Sequence, residues 1–291
     1  MNLLTFDIEE WYLNHQKYGP KEKYAVYDRY LDAILNKLDE LKLKATFFCV
    51  GEMGRIFPEI IRKIQQRGHE IGCHSNIHTW LNKMTVAECR EDTHCAVDSL
   101  EQCIGEKVRS YRAPAFSIGE KNKWAFEILA ENGIERDASV FPAARDFGGF
   151  PSFGQKKPCI VDYKGIRLKE FPICTANILG KEMAYSGGGY FRFFPLDYVE
   201  KEMKISPYAM CYFHIGDLVP ESHGVMSKEK YEAYFKEKGT IKARYIRFIK
   251  SNLGKKNAFQ KMMRLIDGNS FVNLSQADQE IEWSKVPVVT I

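Results

Sequence analysis

The chain has 291 residues, of which 45% are hydrophobic and 27% charged, a composition typical of a folded protein and not of a disordered one. Its formal net charge of +4 is small for this length, so composition gives no reason to expect nucleic-acid binding. The eight cysteines are scattered singly without a CxxC pair, which disfavours a zinc knuckle or a redox couple. Unpaired thiols in a reducing compartment are therefore expected.

The N-terminus, MNLLTFDIEEWY, does not have the basic and then apolar stretches of a secretory signal. Carboxylates come early, at Asp7, Glu9 and Glu10. The sequence also lacks an apolar run of the roughly 20 residues that a membrane-spanning helix needs. We therefore expect a cytoplasmic protein.

Short apolar runs typical of strands alternate along the chain with amphipathic stretches typical of helices. The strand-like runs are residues 3–6, 45–51, 69–74, 108–114, 136–142, 167–173 and 209–215. The helical patterns begin near residues 27, 56, 85, 124 and 196. This alternation predicts an α/β fold with a parallel sheet, either doubly wound or closed into a barrel.

The strand signals fade after residue 220, where a lysine-rich helical pattern takes over. We therefore divide the chain into a main domain, residues 1–220, and a mostly helical, basic C-terminal extension, residues 221–291.

Polar residues lie where the predicted strands end, and in a parallel sheet these ends meet at one edge. The residues are Asp7, Glu9 and Glu10 after the first strand, His74 and His78 after the third, Arg112 and Asp137 at the next two, and His214 and Asp217 at a late one. The sequence thus predicts that they share one cleft.

His74 and His78 are four residues apart, so on a helical turn, or on a loop entering one, both imidazoles could bind one metal ion. A carboxylate from the first strand would complete a set of two histidines and one carboxylate, as in catalytic zinc sites. The spacing alone is weak evidence, since polar residues at a helix start would also explain it.

Five motifs resemble, in this order, those of the polysaccharide deacetylases of the NodB-homology family. They are TFDIEEW (5–11), HSNIH (74–78), RAPAFS (112–117), DASVFP (137–142) and YFHIGD (212–217). The resemblance covers roughly residues 1–220, and GHEIGCH (68–74) and SGGGYFRFFP (186–195) fit the cytoplasmic, biosynthetic branch of the family. It implies a distorted parallel (β/α) barrel with a divalent metal, first of all Zn²⁺. The implied activity is hydrolysis of the N-acetyl amide of an amino sugar, in a polysaccharide or its lipid-linked or oligosaccharide precursor.

The resemblance also implies a role for each matching residue. Asp7 would be the base, Glu9, His74 and His78 the metal ligands, and the backbone N–H of Ala115 the donor to the oxyanion. His214 would be the general acid, Arg112 would keep Asp7 ionised, and Asp137 would support the site from behind. The ordinary alternatives are a helix N-cap for Asp7, a core histidine for His214 and a structural salt bridge for Arg112.

The first motif departs from the family pattern. Family members commonly carry two adjacent aspartates, whereas here Ile8 separates Asp7 from Glu9. In extended backbone Asp7 and Glu9 lie on the same side, which favours Glu9 as the ligand, although Glu10 remains a competitor.

Three other functions fit parts of the pattern. A related enzyme could hydrolyse another C–N bond, such as a formamide on a lipid-linked sugar or a cyclic amide. A non-haem iron oxygenase also uses two histidines and a carboxylate, but the usual HxD spacing is missing. A glycan-binding module without activity would keep the fold and lose turnover.

Residues 228–264 of the C-terminal extension contain twelve basic residues but only three glutamates. Such a run is usually a solvated face. Interleaved apolar residues leave a second interpretation open, a basic amphipathic surface that contacts an anionic membrane or a lipid-linked glycan. They are Tyr231, Tyr234, Phe235, Ile241, Tyr245, Ile246, Phe248 and Ile249.

Overall fold

The computed structural model describes residues 1–19, 24–145, 148–178, 180–221, 224–235 and 237–291. The strands are β1 (Asn2–Ile8), β2 (Thr46–Cys49), β3 (Glu70–Cys73), β4 (Ser110–Tyr111), β5 (Arg136–Asp137), β6 (Cys159–Tyr163), β7 (Ile166–Glu170), β8 (Thr175–Ile178), β9 (Lys181–Ala184), β10 (Ala209–His214) and β11 (Val288–Thr290). The helices are α1 (Glu10–Tyr18), α2 (Ala25–Glu40), α3 (Met53–Ile56), α4 (Pro58–Gln66), α5 (Val86–Ile104), α6 (Ala125–Glu131), α7 (Gly188–Phe193), α8 (Leu196–Ile205), α9 (Ile215–Leu218), α10 (Lys228–Phe235), α11 (Ile241–Asn252), α12 (Lys255–Gly268) and α13 (Leu274–Glu280).

One large sheet organises the molecule. Its strand order is β10-β1-β2-β3-β4-β5-β7-β6-β11. The neighbours from β10 to β7 pair in parallel, whereas β6 runs antiparallel to β7, and β11 is parallel to β6. The predicted α/β fold with a parallel sheet is confirmed. Within the described residues β10 and β11 are the two ends of this sheet, and no pairing between them closes a barrel.

The central strand and its helices follow the apolar pattern of the sequence. In β1, Leu3, Leu4 and Phe6 are all fully buried, as expected for a strand covered on both faces. In α2, residues at helical spacing such as Leu31 and Leu35 turn into the core. Helix α5 begins at a capping box formed by Thr85 and Glu88 and ends at Gly105, which is left-handed with φ 73°.

The last part of the chain packs on the same core. The N–H of Leu4 donates to the carbonyl of Val272 over 3.1 Å, and β11 pairs with β6. Leu265, Ile266 and Leu274 are fully buried. The division near residue 220 stays a prediction. No helix in the described part of the chain is both long and apolar enough to span a bilayer.

The glycine-rich segment 187–189 leads into α7, and Gly187 allows this segment to approach Tyr212 of β10 closely. Gly187 forms an isolated bridge with Tyr212 of β10, and a Cβ on Gly187 would overlap the buried Tyr212 ring. We expect Gly187→Ala to lower the free energy of unfolding by about 1–3 kcal/mol in urea titrations. Gly189→Ala is the control, because its Cβ would meet only the end of the Arg192 side chain. Equal stability of the two variants would contradict this account.

Candidate active site at the carboxyl ends of the strands

The predicted polar residues meet at the carboxyl end of the parallel strands. Asp7 lies beside His214 in the register of β1 with β10, and beside Phe48 in the register of β1 with β2. His74 directly follows β3, and Arg112 directly follows β4. Residues far apart in sequence therefore share one edge of the sheet, as the strand-end pattern predicts.

Glu9, His74 and His78 form a compact group of potential metal ligands. One ligand atom from each residue lies within 4.8 Å of the other two. Glu9 Oε2 is 3.4 Å from His74 Nε2 and 2.5 Å from His78 Nε2. Among the described residues, this is the only group of three or more histidine, cysteine, aspartate or glutamate side chains whose ligand atoms lie this close together.

The orientation of His74 is set by its second ring nitrogen. Nδ1 lies 2.7 Å from the carbonyl oxygen of Arg112, so the hydrogen belongs on Nδ1 and the lone pair on Nε2. Nε2 is buried and has no hydrogen-bond partner among the described residues. A buried Nε2 with a lone pair and without a hydrogen-bond donor is expected of a metal ligand and not of a histidine that only packs in the core.

The two histidines lie on a loop that follows β3, and not on a helix. Ser75 and His78 adopt left-handed backbone conformations, with φ of 58° and 61°. This loop is held on both sides, because the N–H of Gly51 donates to the carbonyl of Ser75 over 2.9 Å and the N–H of Asn76 donates to Asp92 over 2.9 Å. Strained backbone conformations that surrounding hydrogen bonds hold in place are typical of functional sites.

Asp7 is buried and paired with Arg112. The Nη1 of Arg112 donates to Asp7 Oδ1 over 2.8 Å, and its guanidinium lies 4.2 Å from the centre of the Phe48 ring. Burial would raise the pKa of Asp7, but nearby positive charge, above all that of Arg112, outweighs it and holds the pKa below its usual range. Asp7 is thus a carboxylate at neutral pH.

His214 lies on the other side of Asp7 and also contacts a second carboxylate, that of Asp217. Its Nε2 lies 3.5 Å from Asp7 Oδ2, and its Nδ1 lies 3.2 Å from Asp217 Oδ2. Burial would lower the pKa of His214, but the charges of Glu9, Asp217 and Asp7 raise it to about 10. His214 is therefore protonated where Asp7 is ionised, which is the division expected of an acid and a base.

Ala115 lies in a strained turn beside these groups. Ala115 and Phe116 are both left-handed, with φ of 55° and 53°, directly after Pro114. No hydrogen bond of the Ala115 N–H is found among the described residues, and Ala115 is only partly buried. The N–H is thus free to donate to a ligand.

Asp137 reaches this turn indirectly. The hydroxyl of Ser139 donates to Asp137 Oδ1 over 2.5 Å and accepts from the N–H of Ala113 over 2.8 Å. Burial is the largest cause that raises the pKa of Asp137, and burial together with the charge of Asp137 raises the pKa of the neighbouring Glu170. Asp137 therefore supports the backbone before Ala115 and does not line the site.

Glu10 turns away from the two histidines. As the first residue of α1, it accepts a hydrogen bond from the N–H of Gly216. Burial and the charge of Glu9 raise the pKa of Glu10 to about 7. Glu9 and not Glu10 lies beside the imidazoles.

The donor set fits a divalent transition metal. Two imidazole nitrogens and one carboxylate suit zinc, whose ligand bonds are about 2.0–2.2 Å, while calcium and magnesium prefer oxygen alone. The unpartnered Nε2 of His74 points to the same conclusion. Asp7, a carboxylate held by Arg112, lies next to this group, together with the protonated His214.

Two features of the site go beyond the roles assigned from the sequence. Asp217, predicted only to lie in the shared cleft, is the partner of His214, and the HxxD spacing at a strand end is the signal that could have indicated this pairing. The second feature is α10, whose Tyr231 and Phe235 form an apolar cluster with Trp80. Ala115 packs against this cluster, so α10 contacts both the histidine loop and the turn at Pro114–Phe116.

Two family models match adjacent parts of the chain. The polysaccharide deacetylase model matches residues 3–136, and a domain of unknown function (DUF3473) matches residues 138–278. The first model contains Asp7, Glu9, His74, His78, Arg112 and Ala115, while His214 falls in the second and Asp137 lies between the two matches. The site therefore combines residues from both matched regions.

Curated relatives match only part of the chain. A peptidoglycan-N-acetylglucosamine deacetylase of Bacillus cereus is 37% identical over 95 residues, which are 32% of this chain and 34% of the relative. The Bacillus subtilis protein YlxY, described as uncharacterized, is 34% identical over 104 residues, which are 36% of this chain and 32% of the relative. The chain thus spans about a third of the length of these relatives.

One solved structure matches the whole chain. It is a Mycobacterium smegmatis protein assigned to the polysaccharide deacetylases, with a TM-score of 0.64 and 18% sequence identity. The match covers 100% of this chain and 92% of the other. At this identity the likeness shows a shared fold.

Proposed function

Through residues 3–136 the chain belongs to the polysaccharide deacetylase family, and from this premise we propose that it is a metal-dependent N-deacetylase of an amino sugar. The substrate would be a polysaccharide or its lipid-linked or oligosaccharide precursor. One observation carries the proposal: Asp7 and His214, with opposite pKa shifts, lie beside the group of Glu9, His74 and His78.

Glu9, His74 and His78 would hold the divalent cation, with Zn²⁺ as the first candidate. When bound, it supplies a Lewis acid that polarises the amide carbonyl and lowers the pKa of water.

The chain's own residues account for the proton transfers. Asp7, kept ionised by Arg112, takes a proton from the water that attacks the carbonyl carbon. The N–H of Ala115 donates to the carbonyl oxygen as negative charge develops there. His214 gives its proton to the departing amine, so the C–N bond breaks to leave acetate and a free amino sugar.

Removing the partner of His214 should change the pH dependence of this reaction. Asp217→Asn takes away an anion 3.2 Å from His214, which lowers the pKa of the imidazole. Because the reaction needs protonated His214, the basic limb of the profile of kcat/KM against pH should move down by about 1–2 units. The acid limb, set by Asp7, should stay in place. Asp197→Asn on the exposed face of α8 is the control, and an unmoved basic limb in Asp217→Asn would contradict the role of His214.

The reaction class is tested by a panel of acylated amino sugars. Metal-reconstituted protein is incubated with N-acetylated and N-formylated saccharides, and released acetate and formate are measured together with the mass of the product. Acetate release with loss of one acetyl mass supports the proposal. Formate release alone would favour the related hydrolase of another C–N bond, and binding without release of either acid would favour an inactive glycan-binding module.

A further inference from the structure

Helix α11 presents its apolar side chains to solvent. Ile241, Tyr245, Ile249 and Leu253 recur at every fourth position and are 68%, 54%, 57% and 47% exposed. No residue of α11 is buried. A surface helix of a globular protein normally turns such a stripe towards the core, so α11 has the reverse orientation.

The opposite side of α11 fixes this orientation. The guanidinium of Arg244 donates to the carbonyl of Met226 over 3.1 Å, and that of Arg247 lies 4.5 Å from the centre of the Phe235 ring. Arg192 Nη1 donates to the carbonyl of Ser251 over 2.8 Å at the C-terminal end of the helix. The arginines thus contact the protein, and the apolar stripe faces outward.

The outward side also carries positive charge. Helix α11 contains four basic residues and no acidic one. Lys242 and Lys250 are exposed and lie on the same arc as the apolar stripe. Phe193, next in sequence to the Arg192 that holds the end of the helix, is a further exposed apolar residue.

We propose that this side of α11 docks on an anionic lipid bilayer. The docking face consists of Ile241, Lys242, Tyr245, Ile246, Ile249, Lys250 and Leu253. Its apolar side chains would enter the boundary between headgroups and acyl chains, while Lys242 pairs with anionic headgroups and Lys250 adds positive charge near them. A second copy of the chain fits less well, because a two-fold contact through the same face would bring the lysines of both copies together.

The docking face is connected to the candidate active site. Arg192, which holds the end of α11, also pairs with Asp217 over 3.3 Å. Helix α11 packs on α10, which contacts Trp80 beside the histidine loop. Two sets of contacts thus connect α11 to the candidate active site, one through Arg192 and Asp217 and the other through α10 and Trp80. A bilayer bound by α11 would therefore lie near the site.

Vesicle sedimentation of the full chain tests the proposal. The probes are phosphatidylcholine vesicles with and without phosphatidylglycerol. We expect binding at least about tenfold tighter with the anionic lipid, and weaker binding as salt is raised. Tyr245→Ser/Ile249→Ser should weaken binding more than about tenfold, and Lys242→Gln about fivefold.

A matched control separates this face from exposed apolar residues in general. Ile205 is 68% exposed, like Ile241, but it precedes β10 and lies at the opposite end of the strands. Ile205→Ser should bind vesicles like the parent. Turnover of a soluble acetylated oligosaccharide should be the same in Tyr245→Ser/Ile249→Ser as in the parent, which keeps this test independent of the proposed function.

Three outcomes would overturn the proposal. The first is no preference for anionic vesicles, and the second is equal binding by Tyr245→Ser/Ile249→Ser and the parent. The third is a dimer in analytical ultracentrifugation that this double variant dissociates, because a second copy would then cover the docking face.

Discussion

Replacing Asp7 with asparagine is expected to lower kcat by about 10²- to 10⁴-fold, because the attacking water loses its general base. The amide keeps the shape of the carboxylate, so the 2.8 Å contact with Arg112 can persist. The variant should bind metal like the parent, since Asp7 is not among the three grouped ligands. Turnover and metal content are measured on the same preparations.

The loss of charge next to buried Arg112 has a second consequence. A buried guanidinium without its anion costs about 3–5 kcal/mol, so urea unfolding must show that the variant is folded under assay conditions. Asp32→Asn is the matched control, because Asp32 pairs with Lys63 on the surface. Turnover of Asp7→Asn within tenfold of the parent would refute the assignment of the base.

Replacing His74 and His78 together with alanine is expected to remove the bound metal and nearly all turnover. A lone carboxylate binds zinc weakly, so the zinc content measured by mass spectrometry should fall from about one equivalent to near zero. His94→Ala is the control, since His94 is exposed on α5, away from the ligand group. Metal content unchanged in the double variant would place the ion elsewhere.

A paired comparison resolves the choice between the two glutamates. Glu9→Gln should weaken zinc binding by about 10-fold or more, since Glu9 Oε2 lies within 3.4 Å of both imidazoles. Glu10→Gln should retain zinc, because Glu10 accepts from the N–H of Gly216 instead. The opposite ranking would make Glu10 the ligand.

The central sheet and the gathering of the site could be predicted because both follow from local patterns. Buried strands such as β1 and β10 are continuous apolar runs, and polar residues directly after them must lie at one edge of a parallel sheet. The structure places Glu9 beside the imidazoles, but the extended-backbone argument for Glu9 over Glu10 does not explain this, because Glu9 lies beyond the end of β1 with ψ of −23°.

Other parts depend on contacts without a local signature. Strand β11 joins the sheet through β6, more than a hundred residues earlier in the chain, and the N–H of Leu274 donates to the hydroxyl of Thr46. The β8–β9 hairpin is polar and half-exposed, so it lacks the apolar alternation that marks a strand. Sequence periodicity could not reveal these pairings.

The surroundings of the candidate active site could not be predicted from the sequence either. The burial of Asp137 beside Glu170 and the packing of α10 on Trp80 depend on tertiary contacts. The inverted orientation of α11 is a further case, since a basic amphipathic pattern does not tell which side faces the protein.

Anomalous scattering from zinc-loaded crystals tests the metal assignment most directly. We predict one zinc peak at bonding distance, about 2.0–2.2 Å, from the Glu9 carboxylate and from the Nε2 atoms of His74 and His78, with a solvent ligand next to Asp7. A peak bound to Glu10, or no peak at the two histidines, would contradict the account.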